Sequence, residues 1–303
     1  MVRVRVPGKV NLALAVGQTD ARGYHELGTV FQAVSLFDEL LVRPAPPGKV
    51  RLGFDGEGAA ELPRDDSNLV TRAARLLASN CGVTDGVEIR VSKRIPVAGG
   101  MAGGSANAAA ALVACNELWQ LGLDQPQLHA LARQLGADVP FLLYGGTAIG
   151  TGYGDRIEPI PTEGRYYWVL AFSHHGLATP DVFREFDRTT QPQSTAISPD
   201  LLAALAAGDI PGVGRLLSND LQDPALRLSP ELAAVLQLGR DAGAAGGVVS
   251  GSGPTVAFLA HDARQAAKLG DRLAADPQVR EVHLAEAPAP GAQLLREEAM
   301  IRG

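Results

Sequence analysis

Residues 95–109 read Ile-Pro-Val-Ala-Gly-Gly-Met-Ala-Gly-Gly-Ser-Ala-Asn-Ala-Ala. Upstream, Val87, Ile89 and Val91 alternate with Glu88 and Arg90, which predicts a strand; downstream, an alanine-rich run to Trp119 predicts a helix. A strand, a glycine-rich loop and a helix N-terminus, in that order, make an anion site. Glycines let backbone N–H groups approach ligand oxygens, and the unpaired amides of the first helical turn aim the positive end of the helix dipole at the ligand. Ser105 and Asn107 add polar side chains at the helix entry. Four glycines, a serine and an asparagine within residues 99–107 favour a phosphate loop over a plain turn before a buried helix.

The loop is not one of the common nucleotide loops. Gly8-Lys9 and Gly48-Lys49 are each followed by valine, so the Gly-x-x-x-x-Gly-Lys-Ser/Thr pattern is absent. The loop holds no Gly-x-Gly-x-x-Gly, and the chain lacks the His-Arg-Asp and Asp-Phe-Gly signatures of protein kinases.

A chain of 303 residues predicts two domains, each able to bury a core. A formal charge of −6 argues against a nucleic-acid partner. Lysine occurs only at positions 9, 49, 93 and 268, which makes each one worth examining. Cys81 and Cys115 lack metal-ligand spacing and read as reduced core thiols. No signal peptide opens the chain and no apolar run reaches the roughly 18 residues of a membrane span, so a cytoplasmic protein is expected.

Residues 2–16 read as two strands broken at Pro7-Gly8. In the second, Val10, Leu12, Leu14 and Val16 share one face, so Lys9 and Asn11 point together on the other. A helix is predicted over 67–78 with Asp66 or Ser67 as its N-cap, and another over 125–135 stopped by Gly136. Asp138 follows, before an apolar segment (Phe141 to Tyr144) that reads as a strand. It is either a turn carboxylate or a carboxylate held in a cleft and tuned for proton transfer. Glycines and prolines cluster over 150–164, which places a domain boundary at about residue 157. The second part alternates strands near 166–172, 246–258 and 279–284 with helices near 181–187, 199–207, 211–218, 229–243 and 262–274. The tail after about residue 285 is expected to be partly disordered.

Four stretches together carry a resemblance: Pro7-Gly8-Lys9-Val10-Asn11-Leu12, the loop over 96–109, Gly136-Ala137-Asp138-Val139-Pro140, and Ser250-Gly251-Ser252-Gly253. In order and spacing, over roughly residues 3–260, the chain resembles the GHMP small-molecule kinases. Arg22-Gly23-Tyr24-His25-Glu26-Leu27 and Asp38-Glu39-Leu40 narrow the likeness to the branch whose acceptor is a cytidine diphosphate ester. Acceptors of the homoserine or mevalonate type are the alternative within the superfamily. A non-catalytic sensor on the same fold is disfavoured because Lys9 and Asp138 are both present. Ala102 stands where the family loop has glycine, and Ala106 where it has serine.

The resemblance implies an α+β fold. Residues 1–157 would form an ATP-binding domain like domain 2 of ribosomal protein S5, and residues 158–303 a ferredoxin-like substrate domain, with the active site in the cleft between them. It implies ATP and Mg²⁺ as cofactors, with ATP held by Asn68 on the adenine side and by Pro96, Val97, Ala98, Gly99, Gly100, Met101, Ala102, Gly103, Gly104, Ser105, Ala106 and Asn107. Asp138 would be the general base, Lys9 would keep it ionised and stabilise developing charge, and Ser105 would stand on the Mg²⁺ side. Asn11, Tyr24, His25, Thr179 and Phe183 would bind the acceptor, a small molecule phosphorylated on the 2-hydroxyl of its methylerythritol moiety. A cytoplasmic monomer or homodimer, acting on neither nucleic acid nor membrane, completes the expectation.

Overall fold

A computed structural model describes residues 1–56, 58–192 and 194–295. The first sheet is built on a long hairpin, β1 (Val2–Thr19) and β2 (His25–Ala45), turned over Asp20 to Tyr24. β4 (Gly86–Lys93) pairs antiparallel with β2, and β3 (Val50–Gly56) lies parallel on its far side. β5 (Thr147–Thr151) pairs with β2, and β6 (Arg156–Pro159) with β5. Two short strands from the second half, β8 (Ser218–Asn219) and β12 (Gln293–Leu294), return to β1. α1 (Leu69–Cys81), α2 (Gly103–Leu118), α3 (Gln125–Ala132) and α4 (Val139–Tyr144) accompany this sheet.

The second sheet comprises β7 (Tyr166–Ser173), β9 (Gly246–Val249), β10 (Val256–Ala260) and β11 (Val279–Ala287), all antiparallel in the order β11-β7-β10-β9. In chain order of its own strands this is 4-1-3-2, the ferredoxin-like order. Between β7 and β9 run α5 (Thr179–Thr189), α6 (Pro199–Ala207), α7 (Ile210–Leu216), α8 (Gln222–Leu228) and α9 (Glu231–Asp241); α10 (Ala263–Ala274) joins β10 to β11. The two sheets are linked through a buried polar bond: the Trp168 indole N–H on β7 donates to Gln32 Oε1 on β2 at 2.8 Å.

The glycine loop leads into α2, where Ala106, Asn107, Ala108, Ala109, Ala110, Ala111, Leu112, Ala114 and Cys115 are all buried. A helix apolar on every side belongs inside. Its alanines let α1, α4 and β1 approach closely, and burial pushes the Cys115 thiol up to about 12.

Five sequence expectations change. β1 runs unbroken through Pro7-Gly8, because the register shift there is a bulge that tolerates a proline without an N–H. Asn68, not Asp66 or Ser67, caps α1, its side chain accepting from Val70 N at 2.9 Å. Asp65 has taken the Ser67 amide and hydroxyl. The 125–135 helix ends at Ala132, with Arg133 as its C-cap, three residues before Gly136. The segment up to Tyr144 is the helix α4 rather than a strand; Pro140 suits a first helical turn and Gly145 (φ 68°) ends it. Residues 285–295 are ordered: Ala285–Ala287 complete β11, and Gln293 and Leu294 pair with β1. The rest of the expected tail, 296–303, lies outside the described residues. Among the described residues no helix is long and apolar enough to cross a membrane.

Candidate active site

The phosphate loop owes its shape to left-handed residues. Ala98 (φ 53°), Gly100 (φ 75°) and Ala102 (φ 59°) all adopt positive φ, so alanine at 102 carries a glycine-favouring conformation. At Gly100 the constraint is also steric. A Cβ there would lie 2.2 Å from the Ser250 carbonyl oxygen, so the loop and the 250–253 turn touch backbone to backbone. Gly104 is different: a Cβ would meet only Leu69 Cδ1 at 3.9 Å, and the residue is exposed.

Ala102 is the N-cap of α2 and supplies no side-chain cap. The first-turn amides of a sixteen-residue helix are thereby left to face a cavity of about 550 Å³ lined by Gly103, Gly104 and Ser105. Pro96 to Gly100, Ala102, Asn68 and Asn107 also line it; Met101 and Ala106, both fully buried, do not. Met101 lies under β1, where its methyl group would be 3.3 Å from a Cβ at Gly8.

Asn107 is reached by sequence reasoning but turns elsewhere. Its Nδ2 donates to Asp38 Oδ2 at 2.7 Å and its Oδ1 accepts from Lys93 Nζ at 3.1 Å. Asp38, fully buried, also accepts from Arg94 N (2.7 Å) and Ile95 N (2.8 Å) and pairs with Lys93. The carboxylate thus ties both ends of the phosphate loop to β2. The scarcity of lysine was the sole sequence signal for Lys93.

Across the cavity, β1 presents Lys9 and Asn11 side by side, both buried. Lys9 Nζ donates to Asn11 Oδ1 at 2.6 Å, and Asn11 Nδ2 donates to Thr29 Oγ1 at 2.8 Å. Burial pushes the Lys9 pKa down, and the nearby Asp138 carboxylate pulls it part of the way back. Asp138 occupies the N-cap position of α4 but makes no capping bond, which leaves its carboxylate to the cavity.

A second cavity, about 860 Å³, lies beside Tyr24 and His25 and shares Tyr153, Thr179 and Phe183 with the first. Tyr24 is 64% exposed. His25 is engaged on every side: Nδ1 donates to Gly17 O at 2.8 Å, Nε2 lies 3.0 Å from Asp187 Oδ1, and its ring stacks on Phe183 at 5.4 Å. Phe183 is therefore half-buried against His25. Thr179, at the start of α5, shares a hydrogen bond with Ser252 at 2.9 Å. Asn68 keeps its amide on Pro63 O at the rim of the first cavity. Tyr153 escaped sequence reasoning because its glycine-rich surroundings read only as a domain boundary.

Hard oxygen donors suit Mg²⁺, which takes one or two protein ligands and completes its shell with phosphate and water. Ser105 and Asp138 line the same cavity and fit that requirement; among the described residues no group of three or more His, Cys, Asp or Glu could hold a metal without such help.

The chain matches the model of the GHMP kinases N terminal domain over residues 68–146 and that of the GHMP kinases C terminal domain over 201–277. A 4-diphosphocytidyl-2-C-methyl-D-erythritol kinase from Mycolicibacterium gilvum (strain PYR-GCK) is 52% identical, the alignment covering 97% of this chain and 92% of that protein. One from Thermobifida fusca (strain YX) is 51% identical over 97% of this chain and 98% of its own length. A crystal structure of 4-(cytidine 5'-diphospho)-2C-methyl-D-erythritol kinase superposes with a TM-score of 0.76 at 36% identity, covering 94% of this chain and 99% of that one. A homoserine kinase from Cytophaga hutchinsonii shares the fold, with a TM-score of 0.80 at 22% identity over 97% of both chains.

Proposed function

The chain belongs to the GHMP kinases, in the family of the 4-diphosphocytidyl-2-C-methyl-D-erythritol kinases, and on that premise we propose how its residues carry the reaction. The enzyme transfers the γ-phosphoryl group of ATP to the 2-hydroxyl of 4-diphosphocytidyl-2-C-methyl-D-erythritol, a step of the non-mevalonate route to isoprenoid precursors. It works in the cytoplasm, as a monomer or homodimer, on small molecules alone. Residues 1–157 bind ATP and residues 158–303 contribute to the acceptor site.

The observation that carries the assignment of roles is the placement of buried Lys9 and of Asp138 on one cavity floored by the uncapped N-terminus of α2. The triphosphate lies on the amides of Gly103, Gly104 and Ser105, and the adenine lies toward Asn68. Phosphoryl transfer asks for in-line placement and charge neutralisation more than for covalent chemistry. Asp138 accepts the proton of the 2-hydroxyl as that oxygen attacks the γ-phosphorus. Lys9, fixed by Asn11, offers its ammonium to the charge that develops there. Ser105 would hold Mg²⁺ together with the phosphates, and the ion would there neutralise phosphate charge. The cytidine diphosphate head of the acceptor occupies the second cavity against Tyr24 and Phe183. His25 braces Phe183 from behind.

ADP release measured with the diphosphocytidyl ester, homoserine and mevalonate as separate acceptors tests the assignment. Turnover is expected with the first alone; a higher kcat/KM for homoserine or mevalonate overturns the substrate while leaving the superfamily intact.

A further inference from the structure

The hairpin tip that carries Tyr24 is exposed from Ala21 to Tyr24, and the Tyr24 ring has little core to rest on. An exposed aromatic wall is useful only if something holds it. The structure shows what does. Asp20 Oδ1 accepts from Tyr24 N (3.0 Å) and Arg22 N (2.8 Å), and Asp20 Oδ2 accepts from Arg22 Nε (3.0 Å) and from the Tyr153 hydroxyl (2.7 Å). Arg22 also donates to the Tyr153 oxygen, and its guanidinium stands over both the Tyr24 and Tyr153 rings at 5.9 and 5.2 Å. Those two rings meet edge to face at 6.1 Å.

Tyr153 reaches this cluster from a firmly held turn. Its own amide donates to Asp155 Oδ1 at 3.2 Å, Arg133 pairs with Asp155 Oδ2 at 2.7 Å, and Gly152 O accepts from Leu27 N at 2.7 Å. The hydroxyl is thus the bond by which the turn between β5 and β6 reaches the acidic centre of the hairpin tip. Four donors on one carboxylate keep it ionised, and accordingly the Asp20 pKa lies well below the usual carboxylate range, with the Tyr153 hydrogen bond as the largest cause.

We propose that Tyr153 is a positioning residue of the acceptor site: through Asp20 and Arg22 it holds Tyr24 in the orientation that receives the nucleotide head of the acceptor. The inference rests on the reading that the cavity beside Tyr24 takes that head. It adds a residue whose contribution acts through Tyr24 and not on the reacting atoms. An ordered wall lowers the entropy lost when the ligand binds, so the effect falls on acceptor affinity and not on chemistry.

The test combines Tyr153→Phe, which keeps the ring and removes the hydroxyl, with Tyr24→Ala and the double variant. Loss of one such hydrogen bond is expected to raise the acceptor KM about five- to tenfold, with kcat and the KM for ATP within about twofold. In the Tyr24→Ala background, Tyr153→Phe is expected to add less than twofold. Hydrogen exchange of the unliganded enzyme is expected to quicken at the Tyr24 amide while the β7 amides stay protected. Unchanged exchange at Tyr24, or an acceptor KM effect of Tyr153→Phe that persists undiminished without the Tyr24 ring, overturns the proposal. If Tyr24→Ala itself leaves the acceptor KM unchanged while exchange at Tyr24 quickens in Tyr153→Phe, the clasp stands and the acceptor-site reading is what fails.

Discussion

Lys9 and Asn11 meet at 2.6 Å, ammonium to side-chain oxygen, and Asp138 acts on that ammonium through space rather than by a direct bond. The arrangement divides the work. Asn11, anchored in turn on Thr29, fixes where the positive charge sits, while Asp138 makes no capping bond and lines the cavity, as the proposed role toward a substrate hydroxyl requires. A lysine bound tightly to the carboxylate would compete with that hydroxyl for the same lone pairs.

Asp138→Asn preserves shape and removes basicity. A fall of roughly 10²–10⁴ in kcat is expected, with nucleotide binding and the thermal melt near wild type. Turnover within a few-fold of wild type would mean that Asp138 is a turn residue and no base.

Lys9→Arg is not expected to restore what Lys9→Ala loses. The ammonium sits between Asn11 Oδ1 and Gly251, where a Cβ would already be 3.1 Å from Nζ, and a planar guanidinium has no room to replace it. Both variants should lose at least about 10²-fold in kcat, the scale of removing one electrostatic stabiliser. Near-complete activity in Lys9→Arg would show that diffuse positive charge is enough.

The rate should also fall on the alkaline side below the ordinary lysine value of 10.5. Burial lowers the Lys9 pKa, so the folded protein gives up this proton before the unfolded chain does. The cost of burying the ammonium is present at neutral pH, and stability gains as pH rises from the folded value toward 10.5. Activity should move the opposite way, because the charge that Lys9 offers in the proposed mechanism is lost. kcat/KM for ATP plotted against pH reports the free enzyme and should bend downward once in this range; a flat profile up to pH 10.5 contradicts the assignment.

The elements that surround the first cavity are legible in the sequence because their signals are local. Alternation puts Lys9 and Asn11 on one face, and the glycine run ends in an alanine helix, as its small-residue composition requires. What was not legible is long-range. Nothing in the chain announces that Asn107 turns to Asp38, 69 residues away, or that Tyr153 reaches Asp20 across 133. The misread helix α4 has another cause: a short apolar run has no decisive period, and the proline in its first turn was the better guide.

Within the loop, the glycines should separate in their effects. Gly100→Ala places a Cβ 2.2 Å from the Ser250 carbonyl at φ 75° and should destabilise the protein by at least about 2 kcal/mol. Gly104→Val meets no backbone and should leave the melt unchanged while weakening ATP binding tenfold or more, since its side chain fills space above the helix N-terminus. Ala102→Gly removes the αL penalty of an alanine, about 1 kcal/mol, against a similar entropy gain of the unfolded chain, so stability should hardly move. Equilibrium nucleotide titration with parallel urea melts separates the three; unchanged ATP affinity in Gly104→Val would move the triphosphate elsewhere.

Asp38 gives the strongest expectation for stability. It is fully buried, pairs with buried Lys93, and receives the amides of Arg94 and Ile95 together with the Asn107 side chain. Asp38→Ala leaves an ammonium buried without its counter-charge and should cost about 3–5 kcal/mol by urea unfolding. Asp38→Leu with Lys93→Met removes both charges at once, and a buried pair replaced by apolar groups is often neutral, so most of that loss should return. Nucleotide affinity should not return with it, because the loop amides at 94 and 95 still lack the acceptor that sets the start of the phosphate loop. If the double variant recovers ATP binding as fully as stability, the carboxylate is only a partner for Lys93. If stability stays low while the double variant remains folded, the three hydrogen bonds from Arg94, Ile95 and Asn107 outweigh the charge pair.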